Sequence, residues 1–107
     1  MTFGLSENTI ASILNTFLQF PEVDEAVLYG SRAKGNYKNG SDIDITLKGA
    51  KLNLSLLAQI SSRLDDLPIP YTIDLSIYHH IRNEDLRDHI ARVGKIILNK
   101  ESLITKK

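Results

Sequence analysis

The eighteen residues from Leu28 to Ile45 read LYGSRAKGNYKNGSDIDI, and they constrain the chain more than any other stretch. Ala26 to Tyr29 is a short apolar run, as a strand would be, and it breaks at Gly30-Ser31. A polar turn carrying Arg32 and Lys34 follows, then a loop rich in Gly and Asn, then a second strand opening Asp42-Ile43-Asp44-Ile45. Strand side chains alternate between faces, so Asp42 and Asp44 point the same way, about 6.6 Å apart along the strand. Ile43, Ile45 and Leu47 then face a core. Two neighbouring carboxylates with no cation between them in sequence call for a positive charge in space. A hard cation such as Mg2+ fits, because it takes carboxylate oxygens and fills its shell with water and phosphate.

The first half of the stretch supplies the complement. Gly30 permits a positive φ or a close backbone approach to a ligand. Ser31 is expected to cap a short helix whose free N–H groups favour an anion. Arg32 and Lys34 add donors of the kind phosphates need. One loop thus offers phosphate-binding groups and the next strand offers metal-binding groups, as a nucleoside triphosphate held by Mg2+ requires.

Gly30-Ser31, ten intervening residues and Asp42-Ile43-Asp44 resemble the signature of the DNA polymerase beta-type nucleotidyltransferases. The fuller string GSRAKG…SDIDI is similar to the minimal nucleotidyltransferase (MNT) proteins, and the resemblance covers roughly residues 8 to 98. Lys34 departs from it, since these proteins often carry Arg there; charge is kept but bidentate geometry is not. The resemblance implies an α+β nucleotidyltransferase fold and transfer of AMP from ATP to a hydroxyl, with two Mg2+ ions. It also implies a helical HEPN-domain toxin, encoded nearby, as partner. In such pairs the nucleotidyltransferase is the antitoxin and the acceptor is a tyrosine of the toxin.

The rest of the chain is consistent with one domain over residues 1–107, of which 99–107 read as a flexible polar tail. Ser6 is placed to cap a first helix with an apolar stripe of Ile10, Ile13, Leu14, Phe17 and Leu18. A second helix is expected from about Asn53 to Leu67, with Leu56, Leu57, Ile60, Leu64 and Leu67 inward and Leu52 and Leu54 exposed. Tyr71 to Ile77 alternates, which puts Asp74 on the polar face of a strand. If that strand neighbours the Asp42 strand, three carboxylates converge, as two-metal phosphoryl transfer requires. In the resembled family the third carboxylate lies on such a later strand, and Asp74 is the matching position. His79 and His80 at the strand end read as surface residues. Asn83 caps a last helix with Leu86, Ile90 and Val93 inward, and Lys95 to Leu98 reads as an edge strand. The order α-β-(short α)-β-α-β-α-β implies a small mixed sheet covered by helices on one face.

Charge and composition narrow the function. The formal net charge is zero, so bulk attraction to nucleic acid or membrane is not indicated. Residues 29–63 nevertheless carry six bases against two acids, and those acids are Asp42 and Asp44. That local excess suits an anionic substrate. There is no Cys, which fits a reducing cytoplasm, and neither a signal peptide nor a membrane span is expected. About 100 residues leave little room for an acceptor platform, which favours a protein acceptor and a hetero-oligomer. The alternatives are a module that neutralises a partner by contact alone, or transfer to a small molecule such as an aminoglycoside.

Overall fold

The computed structural model describes residues 2–100. Helix α1 spans Glu7–Leu18, and Ser6 caps it by accepting the Thr9 N–H. Strand β1 is Glu25–Tyr29, the one-turn helix α2 is Gly30–Lys34, and strand β2 is Ile43–Lys48. Helix α3 spans Leu54–Asp65 with Asn53 as its cap. Strand β3 is Ile73–Ile77 and runs into a 3-10 turn, Tyr78–His80. Helix α4 is Glu84–Val93, capped by Asn83, and strand β4 is Lys95–Asn99.

The four strands form one sheet in the order β3-β2-β1-β4. β1 runs antiparallel to both β2 and β4, whereas β2 and β3 are parallel, with α3 making the crossover between them. The strand alternation sorts the two faces. Ala26, Leu28, Ile43, Ile45, Leu47 and Ile77 face Ile13, Phe17, Ile60 and Leu64 of α1 and α3 in the main core. Val27 and Tyr29 face the other way and meet Ile90 and Leu86 of α4. The expectation of helices on one face is therefore amended: α4 covers part of the second face. The apolar stripe of α4 is legible in sequence, but nothing in it says which side of a sheet it takes.

Three smaller expectations also shift. Leu52 is buried in the main core, because the 49–53 connection folds under α3, whereas Leu54 stands exposed as expected. Leu18 closes the α1 stripe in sequence but is exposed at the helix end. The ordered chain extends past the expected start of the tail: Asn99 belongs to β4, and Lys100 Nζ donates to the Phe20 carbonyl over 2.7 Å. Residues 101–107 of that tail lie outside the described residues. Among the described residues no helix is long and apolar enough to cross a membrane.

Candidate active site

The site forms where β1 ends and α2 begins, beside the first residues of β2 and β3. The β1–β2 register sets Tyr29 opposite Asp44, and the β2–β3 register sets Asp44 beside Asp74. Neighbouring strands lie about 4.8 Å apart, so those two carboxylates are side by side on one face. Asp42 immediately precedes β2 and shares the Asp44 side of the strand by alternation. Asp42 and Asp74 are exposed and Asp44 is half-buried. Burial pushes the Asp44 carboxyl above its usual range, the Asp74 and Asp42 charges push it further, and His89 works against them. The Tyr29 phenol is also raised, first by burial; the Ser76 hydroxyl opposes this and the Asp74 and Asp44 charges add to it.

Gly30 has φ +76°, a conformation that L side chains rarely adopt. A Cβ at this position would collide with the Asp44 carboxylate. The glycine is thus needed for the carboxylate as much as for any phosphate. Ser31 does not cap the helix: Tyr29 holds the cap position, and Ser31 is the second residue of α2. The helix is a single turn closed by Gly35, whose N–H donates to the Ser31 carbonyl. Anion binding would rest on individual N–H and hydroxyl groups there rather than on a helix dipole.

Arg32 is the main correction to the expected phosphate set. It is only 2% exposed. Its Nε and Nη2 donate to the Ser41 carbonyl over 3.1 and 2.8 Å, and its Nη1 donates to the Phe3 carbonyl over 2.9 Å. The guanidinium also lies over the rings of Tyr37 and Tyr71, at 5.1 and 4.8 Å from their centroids. A cation so enclosed spends three of its five N–H donors on backbone carbonyls and is shut off from solvent. It pins the loop that delivers Asp42. The sequence gives the residue type correctly, but cannot tell a phosphate ligand from a guanidinium that satisfies backbone carbonyls. Lys34 is exposed at the end of α2 and is the cation of the pair that remains open to solvent.

The donor set suits a hard divalent cation. It is all carboxylate oxygen, and Asp44 is held above its usual range by burial and negative neighbours that such an ion would neutralise. Among the described residues no three His, Cys, Asp or Glu side chains stand close enough to share one ion. Mg2+ needs no more than one or two carboxylates, with water and substrate phosphates completing the octahedron, and neighbouring Asp44 and Asp74 offer two.

His89 stands outside the sequence motif, yet α4 brings it to the site. Its Nε2 accepts the Gly30 N–H over 3.1 Å, and its ring meets Tyr29 edge-on with centroids 6.2 Å apart. A signal exists in the sequence: 86, 89, 90 and 93 follow the i, i+3, i+4, i+7 pattern, which places His89 on the inner face of α4. His79 and His80, the more conspicuous pair, are exposed and pack edge to face on each other.

The family model of the polymerase beta nucleotidyltransferases matches residues 8–103. The chain belongs to the polymerase beta-type nucleotidyltransferase family. No curated protein matches it. Among solved structures, it is similar to a toxin-antitoxin complex with AMP-PNP, at a TM-score of 0.68 and 24% identity over 89% of this chain and 74% of that one. It is similar also to the complex of tri-AMPylated Shewanella oneidensis HEPN toxin with MNT antitoxin: TM-score 0.67, 17% identity, 92% of this chain and 76% of that one. A protein from Sulfolobus solfataricus matches with a TM-score of 0.52 and 20% identity over 92% of this chain and 93% of that one. At these identities the likenesses establish a shared fold.

Proposed function

We propose that the chain transfers AMP from ATP to a tyrosine hydroxyl of a HEPN-domain partner, and so acts as its antitoxin. The observation that carries this reading is Asp44, packed against the Gly30 turn, set beside Asp74 on the neighbouring strand and close enough to Asp42 to feel its charge. A contact-only antitoxin has no physical need for Asp44 to be half-buried between two other acids. The solved complexes support the choice of substrate and acceptor, since one carries AMP-PNP and another an AMPylated HEPN toxin beside its MNT antitoxin.

In this reading Ser31 and Lys34 hold the triphosphate, with the Gly30 turn setting its distance from the carboxylates. Asp42 and Asp44 would hold a pair of Mg2+ ions, with Asp74 joining the one nearer the acceptor. Bound there, the metal would neutralise charge building on the α-phosphate and on the departing pyrophosphate. The acceptor oxygen attacks the α-phosphorus, the bond to the β-phosphate's bridging oxygen breaks, and pyrophosphate leaves with that electron pair. Asp74, exposed at the outer strand, takes the hydroxyl proton. A test is to incubate the chain with its HEPN partner and ATP labelled at the α-phosphate. Label should appear on the partner with the wild type and not with Asp74→Asn. Label retained by a folded Asp74→Asn variant would remove Asp74 from the reaction.

A further inference from the structure

We propose that His89 is a positioning residue: by accepting the Gly30 N–H it fixes the glycine turn against the Asp44 carboxylate, and so sets the phosphate loop relative to the carboxylates. This rests on the nucleotidyl-transfer reading above, which assigns His89 no role.

The first N–H groups of a helix have no partner within it, so the Gly30 N–H must find one elsewhere. Here it is His89 Nε2, 59 residues away in the chain. The α-carbon of the same glycine lies against Asp44, leaving no space for a Cβ. One residue is therefore held on one side by the imidazole and on the other by a reacting-site carboxylate. The imidazole is itself held: Tyr29 meets it edge-on, and α4 is anchored to the sheet by buried Ile90. A rigid helix thus reaches across the second face of the sheet and clamps the turn.

The hydrogen bond also defines what His89 does not do. Accepting an N–H requires a lone pair on Nε2, so the clamp belongs to the neutral imidazole with its proton on Nδ1; the charge by which His89 opposes the rise at Asp44 belongs to the protonated ring, which cannot hold the Gly30 N–H. With that lone pair occupied, Nε2 is not the base for an incoming hydroxyl, and Asp74 keeps that role. Loosening the clamp moves the loop relative to the carboxylates, and a misplacement of about 1 Å costs on the order of a hundredfold in rate. The α-phosphorus is misaligned while most phosphate contacts survive, so kcat should fall and KM for ATP should change little.

Glutamine carries an amide oxygen near where Nε2 sits, whereas asparagine places its own nearer Nδ1 and leucine has no acceptor. His89→Leu should lower kcat for transfer about ten- to a hundredfold, with His89→Gln restoring most of it and His89→Asn little. Amide hydrogen exchange at Gly30, followed by NMR on the full chain without nucleotide, should be slow in wild type and His89→Gln and fast in His89→Leu. If His89→Leu does not fold, the Gln and Asn pair decides the matter in the same two assays. Equal rates and equal Gly30 exchange across the acceptor-bearing and acceptor-free variants would overturn the proposal. A wild type that transfers nothing would instead contradict the proposed function, and the Gly30 exchange pattern would still decide the clamp.

Discussion

Replacing Arg32 by lysine separates the role the sequence suggests from the role the structure gives. The guanidinium satisfies two backbone carbonyls from three N–H groups and lies over two tyrosine rings. A lysine ammonium is a compact point donor and reaches one carbonyl at best. The other carbonyl loses a hydrogen bond to a charged group, worth about 1.5–3 kcal/mol. Loss of the planar stack on Tyr37 and Tyr71 adds about 0.5–1 kcal/mol. The total of about 2–4 kcal/mol is a large part of the 5–15 kcal/mol that holds a typical domain folded. At about 4–8 °C per kcal/mol for a chain of this size, the nucleotide-free protein should melt roughly 8–30 °C lower. Because the Ser41 carbonyl immediately precedes Asp42, binding of Mg2+ with ATP should weaken as well. Thermal melting with and without nucleotide reads both effects. A phosphate ligand would give the opposite pattern, with stability unchanged and only nucleotide affinity reduced. A nucleotide-free Arg32→Lys protein that melts at the wild-type temperature would refute the pinning role.

Asp44 is raised above its usual value, so the metal-free fold favours its neutral form, and the stability this adds is present below the ordinary carboxylate range and lost as pH rises through the raised value. Asp44→Asn should therefore melt above wild type at neutral pH without metal, with the difference shrinking as the pH falls; a less stable Asp44→Asn protein at neutral pH would contradict the repulsive cluster. Gly30→Ala places a side chain at φ +76°, which costs about 1–2 kcal/mol, and drives its Cβ into the Asp44 carboxylate. It should melt lower and lose transfer, and a fully active Gly30→Ala enzyme would show that the turn relaxes freely. Ser31→Ala removes a hydroxyl that bonds no protein atom among the described residues, so melting should hold while transfer falls about ten- to a hundredfold; transfer at the wild-type rate would take Ser31 out of the phosphate site.

Much of this architecture is legible in the chain itself, because local patterns dictate it. The caps Ser6, Asn53 and Asn83 sit where expected, since a side-chain oxygen ahead of an apolar-periodic run has one obvious use. Strict alternation puts Asp44 and Asp74 opposite the apolar positions of their strands. The pairing of β2 beside β3, which sets Asp74 next to Asp44, is a tertiary fact that spacing cannot supply. Arg32 and His89 mark the same boundary from opposite sides. Arg32 has the composition of a phosphate ligand, but its own loop (Ser41, Tyr37) and two residues distant in sequence (Phe3, Tyr71) claim it. His89 has no motif, and it reaches the Gly30 turn only because α4 folds onto the second face of the sheet.

The central claim is catalytic transfer, and intact-mass analysis of the HEPN partner tests it most directly. The partner is incubated with ATP, Mg2+ and either the wild-type chain or folded Asp44→Asn and Asp74→Asn variants, and its activity is measured in the same samples. The account predicts that the partner gains the mass of AMP, on tyrosine, and is silenced only with the wild type. A partner silenced equally by all three proteins, with its mass unchanged, would contradict it.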